Sequence, residues 1–429
     1  MKKDAYQILL DVLDNEAILL SVHNETYDAL LDKIGDARFV MIGEATHGTQ
    51  EFYQTRIDIT QQLILKKGFM GIAIEGDWPD VYNIHRYVQG QGSSNHWEAA
   101  LESFTRFPQW MWRNTTIPPF IQWLRHFNDQ LPTPSEKIGF YGLDLYSLNT
   151  SMQAVIDYLR KRDPESAERA KTRNACFEQH HINQQMYGYL TAAGIKKSCI
   201  NEAIAELIEL QHRSFEFLLQ DGIAAEDELL FATQNARLIK NAEVYYRSMF
   251  ESNELSWNIR DTHMAETVHV LANHIEQRFN KPAKIIIWAH NSHVGDARAT
   301  EMSERGEVNI GQLIREHYLD TYSIGFSTNT GFVTAADNWD YPAECKKVVP
   351  GLASSYEALF HQVKHKQFLL NFTGNKTLEH YLSASRLQRA IGVIYRPDSE
   401  RVSHYFFTHL PQQFDSIIHI DQTTAVEPL

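Results

Sequence analysis

The chain has 429 residues, with 40 Lys+Arg against 54 Asp+Glu and a formal net charge of −14. That length excludes a small staple-dependent domain, and 43% hydrophobic with 22% charged residues excludes a disordered chain. The acidic balance, with a pI near 5.8, excludes a protein built to hold phosphate backbones, because that affinity comes from Lys and Arg releasing counterions; no nucleic-acid partner is expected.

Lys2 and Lys3 open the chain as a signal peptide would, but Asp4, Asp11, Asp14 and Glu16 interrupt it before an apolar h-region can form. No later stretch approaches about 18 uncharged apolar residues, so no membrane span is expected. Cys176, Cys199 and Cys345 are odd in number and far apart, with no C-x-x-C pair. This predicts neither a disulfide framework nor a cysteine zinc site, and fits a reducing, cytoplasmic compartment.

Short apolar runs ending in polar residues or glycine alternate with helical patterns from Ala37 onward. The first predicted strands are Ala37–Ile42, Gly71–Glu75 and Lys137–Tyr141. From residue 149 to 280 long helical segments take over: Ser151–Arg162, Lys196–Asp221, Asp227–Phe250 and Asn258–Gln277. There Ile204, Leu207 and Ile208, then Phe215, Leu218 and Leu219, recur at helical spacing. Asp163-Pro164 and Asn280-Lys281-Pro282 are turn signals. Strands return at Lys284–Ala289, Tyr322–Ser327, Gln367–Phe372, Ile391–Arg396 and Ser416–Ile420.

A run such as Ile285-Ile286-Ile287-Trp288 suits a strand covered on both faces. The pattern predicts an α/β fold with a central mixed, largely parallel sheet flanked by helices. A helical insertion over 149–280 would divide the α/β body into 1–148 and 281–429.

No G-x-S-x-G elbow, complete Walker A loop or H-E-x-x-H helix occurs, and Gly90-Gln91-Gly92 reads as a polar turn. Polar residues do follow three predicted strands, at the edge where open α/β sheets bind ligands. Gly43-Glu44-Ala45-Thr46-His47-Gly48 follows the first, Glu75-Gly76-Asp77-Trp78 the second, and His290-Asn291-Ser292-His293 the strand near 285. Alone, Glu44 or Asp77 reads as a helix cap and a single His as a hydrogen-bonded structural residue. Together, two carboxylates and three imidazoles at one edge point to a functional site.

Arg56 stands nine residues beyond His47, about two and a half helical turns, so periodicity alone does not bring it to that edge. Asp144 either joins the edge or caps the next helix. The aromatics from Phe107 through Trp110 to Trp112, with Trp339 and Tyr341, suit either a core or an apolar pocket wall. His263 and His274 share one helix face and read as surface residues.

The strings Gly43 to Gly48, Ile74-Glu75, Gly142-Leu143-Asp144, Trp288 to Asp296, Ile394 to Pro397 and Ser403 to Phe406 resemble the erythromycin esterase family, whose members are also labelled succinoglycan biosynthesis proteins. The resemblance implies an α/β body with a helical subdomain and, in resistance members, hydrolysis of a macrolide lactone. It implies that His47 activates water, with Glu44, Arg56, Glu75, His290 and His293 completing the site.

That chemistry needs a base near pH 7 and donors for the oxyanion. His47 is the expected base, Glu44 or Glu75 its orienting carboxylate, and Arg56, His290 or His293 the donor. Trp78, Trp110, Asp144 and Asn291 are the candidates to line a small ester or lactone substrate, and no cofactor is expected. One alternative is a divalent metal held by Glu44, His47, Glu75, His290 and His293. Another is a non-catalytic site for haem or an apolar ligand.

Overall fold

The structure, a computed structural model, describes residues 5–20, 27–91, 95–178, 183–221 and 224–429. Lys2, Lys3, Asp4 and Gly92 lie outside the described residues, as do the side chains of Phe215, Leu218 and Leu219. The chain divides into two compact units, one of Met1–Glu75, Ile84–Phe140 and Val270–Leu429, the other of Gly76–Asn83 and Tyr141–His269.

The first strands are β1 (Ile18–Leu19), β2 (Phe39–Ile42), β3 (Gly71–Asp77), β4 (Gly139–Asp144), β5 (Ile285–Trp288) and β6 (Thr321–Ser327). The later ones are β7 (Thr330–Ala335), β8 (Glu344–Val348), β9 (Gln367–Asn371), β10 (Arg386–Arg389), β11 (Tyr405–Thr408), β12 (Ser416–Ile420) and β13 (Gln422–Thr423). Eight of them form one sheet in the order β1-β9-β12-β6-β2-β5-β3-β4. The pairs from β12 through β6, β2 and β5 to β3 are parallel, while β9 is antiparallel to both β12 and β1. The sheet is therefore mixed and largely parallel, as the apolar runs predicted.

Burial explains the runs: Phe39 to Ile42 and Ile285 to Trp288 are all fully withdrawn from solvent. A strand covered on both faces has no polar side, so alternation disappears. Beside them packs the helix Gln50–Lys67. It ends at Gly68, whose left-handed φ of 68° lets its N–H close on the Leu63 carbonyl, with Lys66 and Lys67 in the last turn complementing the helix dipole.

The expected strand Ile391–Arg396 is corrected to two isolated bridges, Ile391 to Thr46 and Ile394 to Ala336. The segment passes from one partner to another within a few residues, so no ladder extends. The second unit holds the helices Leu148–Arg162, Pro164–Glu178, Gln184–Ala192, Ile200–Asp221, Ala224–Ser248 and Asn253–Phe279, the last running on into the first unit. Its core includes Val155, Leu159, Phe217, Leu238 and Ile239.

Two expectations fail in this unit. Cys176 and Cys199 form a disulfide, their Cα atoms 6.0 Å apart. Packing of the helix holding Cys176 beside the start of Ile200–Asp221 brings them together, which sequence spacing could not show. His263 is buried at 3% exposure rather than on the surface, its Nδ1 2.8 Å from the Asn241 amide nitrogen. Burial pushes its pKa well below 6.5, so the ring is neutral at pH 7. Among the described residues no helix is long and apolar enough to cross a membrane.

Candidate active site

The sheet register sets the site. Ile42 and Ile74 both pair with Trp288. Glu44, Glu75 and His290 therefore leave three adjacent parallel strands at the same carboxyl edge. The first and third segments are tied directly, because the Asn291 N–H donates to the Glu44 carbonyl at 2.8 Å.

The glycines around the first motif answer to close approach. A Cβ on Gly48 would lie 1.9 Å from the Thr334 carbonyl oxygen, and one on Gly43 2.2 Å from the Asn291 side-chain oxygen and 3.1 Å from the Ile324 carbonyl. Between them, the Ile391 N–H donates to the Ala45 carbonyl at 2.9 Å and the His47 N–H to the Ile391 carbonyl at 3.3 Å. The Thr46 and Thr49 hydroxyls bond each other. This loop is held on both sides.

His47 Nδ1 lies 2.8 Å from Glu44 Oε1, and the other oxygen, Oε2, meets Arg56 Nη2 at 2.7 Å. Arg56 is fully buried on the inner face of Gln50–Lys67. Its guanidinium carbon sits 4.5 Å from the Tyr53 ring centroid and 4.9 Å from that of Trp288. The approach to Glu44 lacks hydrogen-bond angles, and among the described residues no guanidinium nitrogen makes an aligned hydrogen bond. Charge and two aromatic faces hold this cation.

Glu75 completes the cluster. Its Oε2 accepts from the His290 backbone N–H at 2.8 Å, while Oε1 lies 3.4 Å from His293 Nε2 and 3.9 Å from His47 Nε2. The Trp112 indole N–H donates to the Glu75 carbonyl at 3.2 Å. The His290 ring stands 4.9 Å from that of His47, and its Nδ1 accepts from the Ser292 backbone N–H at 3.2 Å. A backbone amide only donates, so the neutral ring of His290 carries its proton on Nε2. Burial first, then the nearby imidazole of His47, pushes the His290 pKa well below 6.5. The Ala45 backbone, which faces the same ring, acts in the opposite direction and favours the protonated form.

Glu44, His47, Arg56, Glu75, His290 and His293 thus meet in the first unit. Asn291 spends both ends of its amide on Phe326, donating to the carbonyl at 2.7 Å and accepting from the N–H at 3.1 Å. Trp110 is buried at 5% exposure, with no hydrogen bond to its indole nitrogen among the described residues. In the second unit, Asp144 accepts from Arg260 at 3.0 and 2.6 Å, and Trp78 donates to the Phe231 carbonyl at 3.2 Å.

Sequence reasoning passed over Tyr53, although its place three residues before Arg56 puts both on one helix face. Among the described residues no group of three His, Cys, Asp or Glu is arranged to hold a metal ion.

The sequence model of the Erythromycin esterase family matches residues 64–423, beginning beyond the segment that carries Glu44, His47 and Arg56. Erythromycin esterase type II of Escherichia coli is 23% identical over 325 residues, spanning 70% of this chain and 71% of that protein. A solved succinoglycan biosynthesis protein superposes over 100% of both chains with a TM-score of 0.79 at 22% identity. A mutant of the erythromycin esterase EreC, in its open conformation, covers 98% of this chain and 97% of its own with a TM-score of 0.62 at 16% identity.

Proposed function

Because this chain belongs to the erythromycin esterase family, we propose that it hydrolyses a neutral ester or lactone with water activated by His47 and without a covalent enzyme intermediate. The observation that carries this reading is the bond from His47 Nδ1 to Glu44 at 2.8 Å. A carboxylate there accepts the Nδ1 proton, so the lone pair sits on Nε2, the nitrogen turned toward Glu75.

Water bound at Nε2 gives that nitrogen a proton as its oxygen adds to the substrate carbonyl, and Glu44 stabilises the imidazolium that forms. The neutral His290 ring, its centroid 4.9 Å from that of His47, suits the developing oxyanion as a donor. Collapse breaks the acyl C–O bond, and the imidazolium returns its proton to the leaving alkoxide. Arg56, buried against Glu44 at 2.7 Å, would repel a cation, which supports a metal-free reaction.

A macrolactone is the first substrate to examine, from the names of the similar proteins, followed by simpler esters. Mass spectrometry of such a panel should reveal a product heavier by one water. His47→Ala should lower turnover by about 10²–10⁴-fold with the fold retained. Wild-type turnover in that variant would end the mechanism. A stoichiometric metal ion whose chelation abolishes turnover would replace it with metal-assisted hydrolysis.

A further inference from the structure

Tyr53 touches the cluster at two points. Its hydroxyl donates to the His47 carbonyl at 2.9 Å, and its ring lies under the Arg56 guanidinium at 4.5 Å. Its ring edge meets Trp112 at 6.3 Å between centroids, the residue whose indole N–H holds the Glu75 carbonyl. Tyr53 is fully buried.

We propose that Tyr53 is a positioning residue that sets the imidazole of His47: its hydroxyl fixes the backbone of that residue, and its ring holds Arg56 against Glu44. The two contacts act on one bond. The His47 ring direction follows its backbone, and the Glu44 oxygen that accepts from Nδ1 belongs to the carboxylate whose other oxygen meets Arg56. Burial first, then the Glu44 charge, pushes the Tyr53 phenol well above its usual 10, so its oxygen stays protonated and donates to the carbonyl. A second ring at Arg56 comes from Trp288, 4.9 Å from the guanidinium carbon and itself anchored by its indole N–H to the Thr60 hydroxyl at 3.0 Å. Loss of Tyr53 therefore removes one of these two ring contacts while the other remains.

Only the consequence for turnover rests on the hydrolase reading; the consequence for the His47 ring does not. The full chain, labelled with nitrogen-15 at histidine, is compared with Tyr53→Phe, which keeps the ring face, and Tyr53→Leu, which keeps neither contact. The His47 signals are assigned by their loss in His47→Gln. Wild type should show a proton on Nδ1. In Tyr53→Phe the His47 nitrogens should shift or split, and in Tyr53→Leu the Nδ1–H signature should be lost. Wild-type His47 shifts in Tyr53→Phe would overturn the tether, and wild-type shifts in both variants the whole proposal, whatever happens to the melting temperature.

With p-nitrophenyl butyrate as probe, Tyr53→Phe should lower kcat about tenfold at unchanged KM, as a small misplacement of a reacting group does. A raised KM with unchanged kcat would overturn positioning. If the wild type leaves the probe intact, the hydrolase reading is what suffers, and the spectra still decide the role of Tyr53.

Discussion

Arg56 and Glu44 meet at 2.7 Å while exposed by only 0% and 1%, so each is the other's counter-charge in a dry environment. Removing Glu44 strands the Arg56 cation, and removing Arg56 leaves Glu44 only its bond to His47. Arg56→Met and Glu44→Gln should each cost about 3–5 kcal/mol, while the double variant should recover most of that because no lone charge stays buried. Urea unfolding measures this. A double variant no more stable than either single one would show that the pair does not hold the charges in balance.

The glycine brackets make a contrast within one chain. Gly48→Ala would force a Cβ to 1.9 Å from the Thr334 carbonyl oxygen, a backbone atom that cannot swing away, whereas nothing lies within 4 Å of a Cβ at Gly392. Gly48→Ala should therefore lose about 1–3 kcal/mol or more from overpacking, and Gly392→Ala little. Equal melting temperatures for the two variants would refute the steric account of the first motif.

Burial pushes Glu206 in the second unit from 4.5 to about 8, opposed by Arg173 and Asn174. A carboxyl with a raised folded pKa binds its proton more tightly in the native state, so the stability this group contributes is fully present below about 4.5 and is lost as pH rises toward 8. The slope from this group is at most about 1.4 kcal/mol per pH unit. Glu206→Gln should flatten stability between those limits and melt higher than wild type near pH 8. Parallel stability curves for the two proteins would show that the native carboxyl titrates normally.

The disulfide Cys176–Cys199 leaves Cys345 as the free thiol. Denatured protein should titrate one thiol per chain without reductant and all three cysteines with it. Closing a loop over a sequence separation of 23, the bond should contribute about 3 kcal/mol, lost in Cys199→Ser. Three titratable thiols in unreduced protein isolated under oxidising conditions would remove the bond.

Sequence alone settled the layered α/β body and the edge on which its polar motifs gather. The run Ile285-Ile286-Ile287-Trp288 has no polar face to offer water, and Gly43 to Gly48 follows such a run directly. These signals are local: burial on both faces is written into consecutive side chains, and a motif next to a strand inherits the position of its end.

Tertiary structure alone decided the rest. Periodicity could not bury Arg56, since its stabilisation comes from Glu44, Tyr53 and Trp288, the last far away in sequence. Nor could spacing show that Glu44 takes the Nδ1 side of His47, that Ile391 crosses to Thr46, or that Cys176 meets Cys199. Each of these depends on distances of a few ångströms between segments whose separation along the chain carries no geometric information, so only packing of the folded chain selects them.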